Sequence, residues 1–361
     1  MSCYLVLEDG TVYEGEAFGD VSDTCGEVVF STGMSGYQES LTDPSYRGQI
    51  LVMTFPTIGN YGTIPAYFQS EGIHCRALVV REYTKEPSDS YEGKTIDEFL
   101  RDYRVPGISG VDTRDLVIRI REHGTLKGAL IHDASAIPET VGKLRAMPAP
   151  SEADLVGEVS CRDVLRFDAG KEYTVGLLDC GMKLRIREDL LQYFNVVQFP
   201  YDTPFDVIAE SGVSGLLVSN GPGDPSHPNI VKGPAKTVSE LSSRMPIMGI
   251  CLGNQITALA FGGKTYKMKF GHRGCNQPVS YEGRVYITSQ NHGFAVDEES
   301  LKGTGLVADQ FNINDGSVEG MRYEGLPVFT SQYHPEANPG PHDTSFLFGR
   351  FHGNVKKEMG Q

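Results

Sequence analysis

The rhythm of apolar and polar positions changes about half-way along the chain. In the first part, short apolar runs alternate with clusters of Gly, Pro and Asp. Tyr4-Leu5-Val6-Leu7 and Thr11-Val12-Tyr13 flank Glu8-Asp9-Gly10, and an Asp-Gly pair tolerates the positive φ of a tight turn, so a hairpin is predicted here. Further strands are predicted at 28–30, 50–55 and 77–80. From Asp112 the spacing lengthens to that of an amphipathic helix through Leu116, Ile118 and Ile120, with Asp112 as N-cap and Gly124 just past the end. A second helix is predicted over 138–147. Residues 148–170 hold Pro-Ala-Pro and scattered charges without periodicity, which reads as a linker.

Beyond Tyr173 the texture becomes one of alternating strands and helices. Strands are predicted at 174–178, 196–199 and 215–219, and helices at 186–194 and 234–243. Pro246-Ile247-Met248-Gly249-Ile250 completes the set as a buried strand. The expected architecture is α/β: a mixed α+β N-terminal domain (1–148), a linker (149–172), and a doubly wound, mostly parallel sheet (173–361). In such sheets ligands sit beyond the carboxyl ends of the strands, where the turns at 220–225 and at Cys251 would fall.

Charge and cysteine content narrow the class. The 361 residues carry a formal net charge of −15, which argues against nucleic acid or an anionic membrane as partner. No apolar run reaches the roughly 18 residues of a spanning helix, and Met1-Ser2-Cys3-Tyr4 does not begin a signal peptide. Seven cysteines without a C-x-x-C pair or an Asn-x-Ser/Thr sequon suggest a cytoplasmic protein with reduced thiols. The nine histidines show no metal-ligand spacing, so no metal is expected.

One of those thiols stands in a chemically suggestive frame. Gly249-Ile250-Cys251-Leu252-Gly253 follows an apolar run and precedes a good helix former, the strand–turn–helix context of a nucleophile elbow with Cys in place of Ser. A thiol at a helix N-terminus is placed where a thiolate is favoured, and the Leu252 N–H would face the oxyanion that develops. The bland alternative is a small buried hydrophobe. A base is offered by Tyr333-His334-Pro335-Glu336 after an apolar strand, since residues two apart in an extended chain share a side. Glu336 would orient the His334 ring, and His334 would exchange a proton with Cys251. Asn220-Gly221-Pro222-Gly223-Asp224-Pro225 exposes backbone amides in a tight turn, and Ser289-Gln290-Asn291-His292-Gly293-Phe294 is expected to end a strand over 285–288. A lone histidine such as His292 is more often structural than catalytic. Gly262-Gly263-Lys264-Thr265 imitates the end of a phosphate-binding loop but follows a helix and lacks the first glycine, so no nucleotide site is expected there.

Taken together, these motifs resemble a known family. Residues 173–361 resemble a class I triad glutamine amidotransferase. The run from Gly33 to Ile50 (GMSGYQESLTDPSYRGQI), with PTIGNYG at 56–62, GVDTR at 110–114, QNHGFAV at 290–296 and PGPHD at 339–343, resembles the small-subunit family of carbamoyl-phosphate synthetases. That resemblance implies hydrolysis of glutamine to glutamate and ammonia through a γ-glutamyl thioester on Cys251, with His334 and Glu336 completing the triad. It assigns the glutamine to Ser45, Gly221, Gly223, Leu252, Gln255, Asn291, Gly293 and Phe294. It also implies a large synthetase subunit as partner, in a heterodimer or an oligomer of heterodimers. That subunit would hold the ATP and Mg and receive ammonia through a tunnel, so no cofactor is expected in this chain. The chain differs from the family pattern at Asn254, where Gly-His-Gln is usual, over 271–278, and at Asp179-Cys180-Gly181-Met182-Lys183. A free-standing glutamine or γ-glutamyl hydrolase and a catalytically silent regulatory subunit are the competing expectations.

Overall fold

The computed structural model describes residues 1–88, 93–149 and 152–360. The chain forms two compact units, Met1–Glu152 and Ala153–Gln361. The segment expected to be a linker is largely part of the second unit: Leu155–Val159 is a helix capped by Asp154, and Leu165–Phe167 pairs antiparallel with Asn195–Pro200. Both elements are too short to show a period in sequence, and Pro150 and Ser151 lie outside the described residues.

The first unit is a closed barrel of seven strands. Around it run Ser2–Leu7, Val12–Gly19, Pro106–Ser109, Ala77–Val79, Gln49–Met53, Thr24–Ser31 and Leu126–Ile131, which returns to pair with Ser2–Leu7. The N-terminal hairpin forms as expected, with Val6 opposite Val12 and Gly10 at φ +98°. The helix Thr113–His123 is capped by the Asp112 carboxylate, which accepts from the Asp115 N–H at 3.0 Å, and it stops at Gly124, φ +94°. Closure itself depends on pairings such as Leu7 with Gly128, which no local pattern announces.

The second unit holds one sheet of ten strands. Five are parallel, in the order Asn195–Pro200, Thr174–Asp179, Leu216–Val218, Ile247–Ile250, Val328–Ser331. Their side chains alternate between two cores. Leu177, Leu217 and Met248 pack with Ile186, Leu190 and Phe351 from the helices Leu184–Leu191 and Phe346–Glu358. Leu178, Leu216, Val218 and Ile247 pack on the other face with Val238, Leu241 and Ile256. Helices therefore cover both faces, as the doubly wound expectation required.

An antiparallel extension, not expected from sequence, continues the sheet past Val328–Ser331 through Val318–Tyr323, Arg284–Val296, Thr265–Tyr281 and Leu306–Asn312. The segment 289–294, read as the end of a strand, is instead the middle of Arg284–Val296, paired across the ribbon to Thr265–Tyr281 with register shifts on either side of 272–274. Polar side chains and a glycine made it look like a turn. In the fold Gln290 and His292 are buried and hydrogen-bonded within the ribbon.

Candidate active site

The loops that follow the strands Thr174–Asp179, Leu216–Val218, Ile247–Ile250 and Val328–Ser331 all leave from carboxyl ends, and together they carry most of the residues singled out in sequence. Cys251 makes the sharpest turn. Its backbone sits at φ 54°, ψ −102°, a left-handed conformation strained for a residue with a side chain, and the helix Leu252–Ala260 starts directly after it. The flanking glycines are there because nothing larger fits. A Cβ on Gly249 would lie 2.5 Å from the Gly253 carbonyl, and one on Gly253 would lie 2.1 Å from the Val218 carbonyl. Cys251 is anchored by its own N–H, which donates to the Ser331 carbonyl at 2.8 Å, while its Sγ lies 3.7 Å from the carbonyl of Asn291.

On the adjacent strand, the chain emerges from Ser331 and delivers His334, whose N–H donates to the Ser289 carbonyl at 2.9 Å. His334 Nδ1 donates to Glu336 Oε1 at 2.6 Å, and both side chains are buried. The other ring nitrogen, Nε2, is also buried and makes no hydrogen bond of ordinary geometry among the described residues; the thiol of Cys251 is a neighbour that acts on this ring. Burial favours the neutral imidazole, yet Glu336 outweighs it and raises the ring's pKa well above the ordinary histidine value. Burial likewise opposes ionisation of Glu336, and the Lys183 ammonium, then the imidazole, hold its carboxyl well below the usual range.

Lys183 is part of this cluster, and the sequence reading named it only within the Asp179–Lys183 stretch. Its Nζ lies 3.0 Å from Glu336 Oε1 and also donates to the Ala337 carbonyl, all of it buried. The turn that places it is organised by Asp179, whose carboxylate accepts from the N–H groups of Gly181 and Met182 at 2.9 Å each. Asn220 Oδ1 then accepts from the Lys183 N–H at 3.1 Å. The only signal was the Asp179–Lys183 stretch itself, a polar turn after a buried strand.

Of the residues assigned to glutamine, seven lie in the second unit and one, Ser45, in the first. Gly221 cannot carry a side chain, since a Cβ would stand 1.9 Å from the Cys180 carbonyl, and Gly223 has φ +92°. Gln255 Nε2 donates to the Phe294 carbonyl at 2.8 Å and to Gln332 Oε1 at 3.1 Å, tying the nucleophile helix to the ribbon and to the histidine loop. Asn291 lies beside Cys251 through its carbonyl. Ser45 sits on the short turn Pro44–Tyr46, where the Asp43 carboxylate accepts from its N–H at 2.9 Å.

Two family models match the chain: the CPSase domain of the carbamoyl-phosphate synthase small chain over residues 5–130, and class-I glutamine amidotransferase over residues 167–354. The carbamoyl phosphate synthase small chain of Methanopyrus kandleri is 48% identical over 358 residues, which is 97% of this chain and 98% of that one. The chain belongs to the carbamoyl-phosphate synthase small-chain family. The small chains of Archaeoglobus fulgidus, 48% identical over 97% of this chain and 98% of theirs, and of Methanocaldococcus jannaschii, 47% identical over 96% and 97%, agree. The second unit is accordingly the glutamine amidotransferase part of a small chain.

Within that part, Asn254 fills a structural position. Its Nδ2 donates to Gln332 Oε1 at 2.9 Å, and its Oδ1 accepts from the Thr330 hydroxyl at 2.7 Å, with all three residues fully buried. It joins the helix behind Cys251 to the strand that leads to His334. Among the described residues no helix is long and apolar enough to cross a membrane.

Proposed function

We propose that this small chain hydrolyses glutamine to glutamate and ammonia, and that a large synthetase subunit uses the ammonia with bicarbonate and ATP to make carbamoyl phosphate. The observation that carries the reading is the strained Cys251 turn beside the buried His334–Glu336 pair, at the carboxyl ends of neighbouring parallel strands. Family membership supplies the substrate and the partner.

In this reading the thiol proton resides on His334 when the Cys251 sulfur attacks the side-chain amide carbon of glutamine. The S–C bond forms, and the oxyanion faces the N–H of Leu252 at the start of the helix, where backbone N–H groups lack helical acceptors. The C–N bond then breaks as His334 gives its proton to the departing nitrogen, and ammonia leaves. Water next adds to the thioester carbon and gives a proton to His334. The C–S bond breaks, glutamate leaves, and the proton returns to sulfur. Glu336 keeps the ring oriented and charged, and Lys183 keeps Glu336 ionised. Gly221, Gly223, Leu252, Gln255, Asn291, Gly293 and Phe294 line the glutamine pocket. Ser45 is assigned to the same substrate on the family resemblance. ATP and Mg belong to the partner.

Glutamate release should be measured for the chain alone and then with the large subunit, ATP and bicarbonate. Strong stimulation by the charged partner is the expected result. Equal activity in both conditions would favour a free-standing hydrolase, and no release in either would favour a silent subunit.

A further inference from the structure

The ribbon that carries Asn291, Gly293 and Phe294 contains a second buried histidine–carboxylate grouping, which the chemistry above does not use. His272 and His292 are register partners across the ribbon, their rings 5.0 Å apart and nearly perpendicular. His272 Nδ1 lies 3.2 Å from Glu319 Oε1, and its Nε2 lies 2.9 Å from Asp315 Oδ2. Glu319 is fully buried, and Asn312 Nδ2 lies 3.3 Å from its Oε1. The carbonyl of Glu319 accepts from the Gln332 N–H at 2.7 Å, two residues before His334. His292 Nδ1 lies 2.9 Å from the Phe294 carbonyl, and its Nε2 lies 3.1 Å from Gln290 Oε1.

A ring held between two carboxylates is fully satisfied only as imidazolium, because the neutral ring has one N–H and would turn a lone pair toward the other carboxylate. His272, His292 and Glu319 offer ligand atoms within 4.8 Å of one another, the spacing of a metal site. All four imidazole nitrogens, however, already face oxygen partners. Proton-sharing explains the cluster without an ion.

We propose that the His272–Glu319 ion pair is a positioning device that fixes the ribbon strand Thr265–Tyr281 against Val318–Tyr323 and, through the pairing of His272 with His292, holds Asn291, Gly293 and Phe294 on the partner strand Arg284–Val296 in place for glutamine. This inference rests on the glutaminase reading for its substrate, while the clamp itself is a property of the ribbon. Through Glu319 it connects the strand that backs the glutamine-facing one to the segment that leads to His334. The groups facing His272 are His292 on the opposite strand, Asn312 at the end of the strand Leu306–Asn312, Asp315 in the turn after it, and Glu319. Burial disfavours the imidazolium, but Glu319 and then Asp315 outweigh it and raise the pKa of His272. Burial, then the charge on His272, pushes His292 well below its ordinary value. The clamp is therefore closed near neutral pH; it loosens as pH rises through the raised value of His272 and again as pH falls through the raised value of Glu319.

Glu319→Gln and His272→Asn test this in the full chain assembled with its large subunit. Both are expected to raise the KM for glutamine about tenfold, with kcat changed less than about threefold, and to spare ammonia-dependent synthesis. The wild-type KM should rise toward alkaline pH, and that of His272→Asn should be high and flat. Hydrogen exchange of the amides at 289–294 should quicken in both variants. A fall in kcat and thermal stability with an unchanged KM would reduce the pair to a structural role and overturn the proposal. So would a stoichiometric divalent metal in the wild type that His272→Asn loses. Should the wild type release no glutamate, the glutaminase reading fails, and exchange at 289–294 still decides the clamp: faster exchange supports it, and unchanged protection overturns it.

Discussion

Two imidazoles in the second unit lie buried against a glutamate, and they differ in what stands on the far side of each partner. Behind Glu336 is the Lys183 ammonium, and beyond His334 is the thiol of Cys251. Glu319 has no such cation: among the described residues its ion-pair partner is His272, and the far side of that ring is closed by Asp315. The first pair leaves one ring nitrogen available to pass a proton, whereas the second uses both nitrogens to hold backbone in place. Placement of the surrounding charges, not the residue types, separates a proton carrier from a clamp. The two carboxyls answer accordingly, Glu336 moving below its ordinary range and Glu319 above it under the weight of burial.

The comparison can be broken most decisively at the sulfur. Cys251→Ala should reduce glutamine hydrolysis to background while the complex still makes carbamoyl phosphate from ammonia, and loss of both activities would contradict the division of labour. His334→Ala should lower kcat/KM for glutamine by about a thousandfold or more, and Glu336→Gln by less, because the glutamate orients and does not carry the proton. The reverse ranking, in folded variants, would exchange the two roles.

Removing the cation probes the energetic difference between the pairs. Lys183→Met leaves Glu336 buried without its counter-charge and should cost about 3–5 kcal/mol in chemical denaturation. Adding Glu336→Gln to that variant should recover part of the loss; no recovery would mean that Lys183 acts on the fold by another route.

A pH series sharpens the same point. The contribution of Glu336, whose pKa falls from 4.5 to about 2, is present above the ordinary carboxylate value and disappears as pH drops toward about 2. That of His334, whose pKa rises from 6.5 to about 10, is complete below the ordinary histidine value and disappears as pH rises toward about 10. The stability gap between wild type and Glu336→Gln should thus be widest between those ordinary values and narrow on both sides. For Glu319 the sign is opposite, since the fold disfavours its ionised form. Glu319→Gln should change stability by less than about 1 kcal/mol at neutral pH, and a loss like that of Glu336→Gln would erase the distinction drawn between the two sites.

Legibility in the sequence followed the range of the interaction. The cap at Asp112, the stop at Gly124 and the glycine frame of Cys251 are set by neighbours a few positions away, and each could be read directly. So could the pairing of His334 with Glu336, although the structure brings them together across a turn closed by the Ala337 N–H on the His334 carbonyl and not along the extended segment expected. Barrel closure was hidden because Leu7 meets Gly128 through backbone pairing that any apolar strand could make. The helix Leu155–Val159 and the edge strand Leu165–Phe167 span too few residues for a period to emerge from a charged background. Within 289–294 the rule that polar residues mark turns failed, because Gln290 and His292 are buried and satisfied by residues two positions away along the same strand. Lys183 gave no sign of meeting Glu336, since that contact joins the ends of two strands separated by most of the second unit.

The backbone of Cys251 carries an evolutionary consequence. A side chain held at φ 54° costs about 1–3 kcal/mol relative to a residue that adopts this region freely. Glycine would relieve that cost, so at this turn selection for stability alone favours glycine and only selection for chemistry retains cysteine. A lineage that dropped glutamine hydrolysis but kept the subunit for assembly would drift toward glycine at the elbow before its surroundings decayed. In this chain cysteine stands there, on a conformation that penalises it.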